Sequence, residues 1–263
     1  MPIAMAGPVV DTESAQEFSR EIGDQITIAE LADIAARLDR KSAAMRDILL
    51  ARTRPDRAAL RQVLRLAFAT RRKADEVLDT VGPEALAAAI ENLLDHDDDL
   101  AARFDRFDAL LAGLPPSVGD LPSELLHFAY PAQYWLWTRW LWDPRTRTGA
   151  LALVTTEDSG FSLTGLPDSA SRGEIYLTVG RATAFVNETG KAAGFTDAAP
   201  GLFGTDMFLA AVYGVYMYTV LRMRMTREFN QLVPPLPDLI RRLLGIYYTD
   251  VSEKGASDAH RRT

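Results

Sequence analysis

Residues 207–221 read MFLAAVYGVYMYTVL, fifteen positions without a charge. A helix of that composition has no polar face to offer to water, so the rest of the chain must wrap it. It falls short of the roughly 20 apolar residues that a membrane span needs, and Arg222, Arg224 and Arg227 follow at once. The reading is a central helix, buried on most sides, from Asp206 to the neighbourhood of Gln231. An aspartate in the first turn suits the positive end of the helix dipole. Pro234, Pro235 and Pro237 stop the run, and DLIRRLLGIYY makes a last helix.

The chain has 263 residues, enough to build a core around such a helix. Residues 12–128 supply most of the wrapping, because apolar residues recur there at helical spacing. Thr27 and Glu30 have the spacing of a capping box, and Leu31, Ile34, Ala35 and Leu38 form the stripe behind it. A second helix is expected through Met45, Ile48 and Leu49. Pro55 opens a third, with Leu60, Val63, Leu64, Ala67 and Phe68 on one side. Gly82-Pro83 starts another, and LAARFDRFDALLAGL ends at Leu114-Pro115-Pro116.

Beyond residue 120 the texture changes. GALALVTT (149–156) is apolar and β-branched at its end. EIYLTVG (174–180) alternates Ile175, Leu177 and Val179. Both are expected as strands that pair. The fold class expected is mainly α (α+β), with an N-terminal helical bundle, a small antiparallel β element around 149–180, and a long buried C-terminal helix. The chain divides at residue 119 into a helical part and a mixed part over 120–250, or the two fuse into one cooperative domain. The polar segment 251–263 is expected to be a disordered tail.

All four tryptophans, Trp135, Trp137, Trp140 and Trp142, lie in YPAQYWLWTRWLW (130–142). Read as a helix between Pro131 and Pro144, this segment points indoles in more than one direction, and a single neighbouring layer cannot cover them all. Core packing can cover one side. Aromatics and arginine are enriched at interface cores, so Trp135, Trp137, Arg139, Trp140 and Trp142 are the candidate partner-binding residues.

Composition removes several classes of function. With no cysteine, disulfides, thiolate nucleophiles and cysteine-held metals are excluded. That fits a reducing cytoplasm, and the opening MPIAMAGPVV lacks the basic flank of a signal peptide. The 29 Lys and Arg are outnumbered by 36 Asp and Glu, giving a net charge of −7, so no overall basic field advertises nucleic acid. No nucleotide-binding, zinc-protease or hydrolase motif is present, and no metal set or cofactor is expected.

Two local features nevertheless suit nucleic acid. RTRPDRAALRQVLRLAFATRRK (52–73) holds eight basic residues and one acidic, with Arg54, Arg57, Arg61 and Arg65 at helical spacing. Such a face can neutralise phosphates, or it can be paired by the acidic run Asp75, Glu76, Asp79, Glu84, Glu91 and Asp95 to Asp99. Leu114, Pro115, Val118 and Gly119, within LLAGLPPSVGDLPSELLHFAYP (110–131), resemble the helix–hairpin–helix element of DNA glycosylase-like proteins. That resemblance implies a nucleic-acid-binding or processing role.

For catalysis the candidates are His127, Glu124 and Asp143, all near the tryptophan segment in sequence. The leading expectation is a cytoplasmic, non-catalytic accessory or assembly protein that binds a partner or itself through the aromatic segment. The alternatives are nucleic-acid binding and an enzyme with a pocket of carboxylates and aromatic walls.

Overall fold

The computed structural model describes residues 12–96, 98–155, 166–167, 169–193, 201–224 and 234–246. The expected continuation to Gln231, the end of the last helix at Tyr247 and Tyr248, and the tail 251–263 lie outside the described residues. Those residues form eleven α-helices. They are α1 (Thr12–Gln25), α2 (Ile28–Leu49), α3 (Arg57–Leu66), α4 (Ala74–Val81), α5 (Pro83–Leu94), α6 (Leu100–Leu110), α7 (Leu121–Ala129), α8 (Ala150–Val154), α9 (Arg172–Ala193), α10 (Gly204–Arg224) and α11 (Leu236–Leu243). A 3-10 turn, Pro116–Asp120, leads into α7.

Several helix boundaries follow from local chemistry. The Thr27 hydroxyl accepts from the Glu30 amide while the Glu30 carboxylate accepts from the Thr27 amide, which closes the capping box of α2. Asp56 and Asp99 cap α3 and α6 in the same way from one side. Pro83 stands in the first turn of α5. At the end of α11 the Ile246 amide reaches back to the Arg241 carbonyl and the Gly245 amide to that of Arg242. Gly245 has φ 72°, so this is a Schellman closure that only glycine adopts without strain.

The central helix behaves as its composition demands. Positions 203–212 of α10 and its approach are buried without interruption, whereas Tyr216, in its second half, is exposed. Helices α1, α8, α11 and α2 pack around it. One connected core joins residues from both sides of residue 120, with α6 against α9, α2 against α7 and α1 against α10.

The small antiparallel β element is not found among the described residues. GALALV forms the one-and-a-half turns of α8, and EIYLTVG lies inside α9. An isolated antiparallel bridge joins Asp143 and Thr148. The buried set in α9 explains the second correction. Ile175, Tyr176, Val179, Ala182, Thr183 and Val186 recur with helical period, whereas Leu177 is only half-buried. Alternation over three residues coincided with a longer helical stripe. Packing reinforces the helix: a β-carbon on Gly173 would lie 2.2 Å from the Ala101 carbonyl oxygen, so α9 crosses α6 backbone to backbone.

The expected pair of helices through Leu38 and Met45 is one continuous helix, α2. The tryptophan segment departs furthest from expectation. Between α7 and α8 the chain runs through irregular turns, not a helix. The reason lies in where its amides go. The Trp137 amide donates to the Ser123 hydroxyl and the Arg139 amide to the Asp120 carboxylate, both at the start of α7. Side chains of a neighbouring helix thereby take hydrogen bonds that a helical backbone would have kept.

Candidate functional site

The irregular path resolves the covering problem posed by the indoles. Trp137, Trp140 and Trp142 retain 2%, 8% and 1% exposure. The Trp137 ring packs near Phe104 and Tyr176, with the Arg172 guanidinium 4.3 Å from its centre, and its indole N–H donates to the Trp142 carbonyl at 2.9 Å. The Trp140 N–H reaches the Leu243 carbonyl of α11 at 3.1 Å. Trp135 is half-buried, and the Tyr176 hydroxyl donates to its carbonyl. Arg139 points outward, its Nε 3.7 Å from Asp120. Of the five residues nominated for partner binding, three are core and two reach the surface.

The same segment has an outward half. Tyr130 and Tyr134, both half-buried, form an aromatic group with the exposed His96. Their ring centres lie 4.8 Å (His96 and Tyr130) and 6.1 Å (His96 and Tyr134) apart, and the Tyr134 hydroxyl lies 3.0 Å from His96 Nδ1. Tyr130 also walls an open groove of about 490 Å³ that it shares with Leu49, Leu50, Leu94, Glu91 and Asp95. A second hollow of similar size lies on the other side of Leu50, against Ala43, Arg46 and Asp47. Leu50 is one of few large apolar residues exposed among the described residues, at 38%.

The catalytic candidates have a different setting. Glu124 and His127 sit one turn apart on α7, at 2% and 1% exposure. The Glu124 carboxylate accepts from the Phe68 and Ala69 amides, each at 2.8 Å, and from Lys41 Nζ at 3.2 Å. Lys41 is itself buried, donates to the Leu244 carbonyl and lies over the Phe128 ring. Burial pulls its pKa down, and the Glu124 charge only partly restores it.

His127 Nδ1 donates to the Tyr134 carbonyl at 2.8 Å, and Nε2 faces Asp206 Oδ2 at 3.2 Å. That second approach is close enough for charge attraction but too oblique for a straight hydrogen bond. Burial opposes the imidazolium, but the Asp206 charge and the Tyr134 carbonyl outweigh it, so the pKa is raised. Asp206 comes from the first turn of α10, a partner that sequence order could not reveal. Asp143 belongs elsewhere, in a turn where its carboxylate accepts from the Arg145 amide.

Arg54, Arg57 and Arg61 are engaged. They pair with Glu91, Asp79 and Asp75 respectively, and Arg65 adds to the positive field at Asp75. The α4 carboxylates thus lie along the arginine face of α3, and Glu91 of α5 holds Arg54 just before it. In the segment that resembles a helix–hairpin–helix, Val118 is buried and the Gly119 carbonyl accepts from Arg172. Among the described residues no group of three histidines, aspartates or glutamates could hold a metal ion, and no helix is long and apolar enough to cross a membrane.

A half-buried ionic cluster completes the surroundings of the tryptophan segment. Asp120 faces Arg139 and, at 4.0 Å, Arg172, which also lies 3.3 Å from Asp108. Burial pushes the Asp120 carboxyl up to about 6 despite both guanidinium groups. No protein-family model, curated protein or solved structure matches the chain.

Proposed function

We propose that the chain is a non-catalytic accessory protein of the cytoplasm that docks an amphipathic, basic segment of a partner protein in the groove beside Leu50 and Tyr130. The observation that carries this reading is the divided use of the aromatic segment. Its indoles hold the core, while Tyr130, Tyr134 and the adjoining His96 stay at the surface, next to exposed leucine. Apolar surface with aromatic edges is the usual material of an interface centre. Arg46 and Asp47 share one edge of the groove and Glu91 is held by Arg54, so the preference for a cationic partner comes from the chain's net charge of −7. A helix presenting leucines on one side and lysines on the other matches both features.

Catalysis is supported less well, because a base must meet its substrate and both His127 and Glu124 are closed in by their own partners. The arginine face is likewise occupied by carboxylates. The test is fluorescence anisotropy with two labelled 18-residue helical peptides, one built of leucine and lysine and the other of leucine and glutamate. The lysine peptide should bind, more weakly as salt rises, and Leu50→Asp should abolish binding without changing the circular dichroism spectrum. Equal binding of both peptides, or binding untouched by Leu50→Asp, overturns the proposal. Self-association through the same groove would appear as a dimer in light scattering that Leu50→Asp dissociates, and it too would replace the partner reading.

A further inference from the structure

A basic segment docked beside Leu50 brings ammonium groups to the surface around Tyr130. Glu91 in that groove is held by Arg54, and Asp98, two residues beyond His96, by Arg106. Besides carboxylates, the faces of aromatic rings attract a cation.

His96, Tyr130 and Tyr134 present such faces in a defined arrangement. The planes of His96 and Tyr134 are 7° apart and their centres 6.1 Å apart. At that separation the 3.0 Å approach of the Tyr134 hydroxyl to His96 Nδ1 requires the rings to lie side by side, edge to edge, and not one above the other. Together they form one flat platform. Tyr130 stands steeply across it, at 66° to His96 and 67° to Tyr134, with ring centres 4.8 and 6.1 Å away. The three rings thus meet as a corner with aromatic walls on two sides. His96 is exposed and both tyrosines are half-buried, so the corner reaches solvent, and Tyr130 also walls the groove. Taking the docking reading as given, we infer that this corner seats a cationic side chain of the docked segment, a lysine ammonium held against the ring faces.

The chemistry favours that occupant. A ring face is the negative end of the aromatic quadrupole, and two faces set at a steep angle can contact one cation together. The Tyr134–His96 hydrogen bond fixes the platform in advance, so little ordering is left to be done on binding. Ring faces need no N–H donors from the cation. A trimethylated ammonium is therefore accepted as well as a primary one, whereas a carboxylate loses its charge-assisted hydrogen bond on methylation.

The experiment is fluorescence anisotropy on the full chain at pH 8 with three helical peptides. One is the leucine–lysine helix, the second carries trimethyllysine at each lysine, and the third carries neutral glutamine there. The protein variants are Tyr130→Phe and Tyr130→3,4,5-trifluorophenylalanine. Both keep the ring, but the second strips electron density from its face, and circular dichroism checks that both stay folded. The trimethyllysine helix should bind the parent chain at least as tightly as the lysine helix. Tyr130→Phe should bind both like the parent, and the fluorinated variant should bind both roughly two- to fivefold more weakly. Affinity for the glutamine helix should not fall. The seat is overturned if the fluorinated variant holds the cationic helices as tightly as Tyr130→Phe does, or if the glutamine helix weakens by the same factor. It is equally overturned if trimethylation abolishes binding, which assigns the ammonium to carboxylates. Those results leave Leu50-dependent docking standing. A lysine helix that does not bind the parent chain, or that binds Leu50→Asp unchanged, removes the docking reading and the seat with it.

Discussion

His127 of α7 and Asp206 of α10 face each other across 3.2 Å in the core, at 1% and 2% exposure. The pair joins the helix that carries two of the catalytic candidates, His127 and Glu124, to the central helix. Because the imidazole also donates to the Tyr134 carbonyl, both ring nitrogens face acceptors, and the charged ring is favoured. Its folded pKa lies above the ordinary value. The stabilisation it contributes is therefore complete below about pH 6.5 and is lost as pH rises through the folded pKa. Urea unfolding across pH 5.5 to 9 should show this alkaline loss. Asp206→Asn should remove it and cost about 3–5 kcal/mol at acidic to neutral pH, the range for breaking a buried pair. An unchanged pH profile in that variant contradicts the assignment.

Lys41 and Glu124 form the other buried pair, and the two ends are not equivalent. Glu124 holds two backbone amides besides Lys41, so Glu124→Ala leaves three donors unmet. Lys41→Met leaves a carboxylate that keeps both amides. Glu124→Ala should therefore be the more destabilising change, by about 1–3 kcal/mol. Chemical denaturation of the two variants and their double mutant measures the difference.

Asp120 predicts the opposite pH response. Its folded pKa is raised to about 6 from 3.8 by burial, so the native state holds this proton more tightly than the unfolded chain does. The group disfavours the native state increasingly as pH climbs from about 4 to about 6. Asp120→Asn should be more stable than the parent above pH 6, by about 1–3 kcal/mol on the linkage scale. At pH 4 the two should converge. A variant that is weaker at pH 7 would mean that the ion pairs with Arg139 and Arg172 dominate.

The α3 arginines face carboxylates, so the chain should produce no gel shift with duplex DNA or single-stranded RNA even at low salt. Arg57→Glu/Arg61→Glu should lower the thermal midpoint slightly, because the pairs are exposed and weak. A salt-dependent shift lost in that variant would restore the nucleic-acid reading.

The parts of the fold legible in sequence were those fixed by local chemistry. The Thr27–Glu30 box, the stripe of α3, Pro83 and the uncharged run of α10 each specify their element within a few residues. The failures share a different cause. Ile175, Leu177 and Val179 satisfy alternation, but the buried set extends to Val186 and is helical, a choice made by packing on α6. The path of residues 130–142 depends on Ser123 and Asp120 accepting its amides, contacts that spacing does not encode. The site was half legible for the same reason. The aromatic density at 130–142 and the proximity of Glu124 and His127 were visible. Their partners Lys41 and Asp206 lie 83 residues before Glu124 and 79 after His127 respectively.

The most direct test of the docking reading is to map the lysine–leucine peptide onto the free protein by NMR, following the ring signals of His96, Tyr130 and Tyr134 and the methyls of Leu49 and Leu50. The account predicts that these signals shift together and saturate together, while the indole signals of Trp137 and Trp140 stay where they are. Shifts confined to the arginine face of α3, or to the buried indoles, would contradict it.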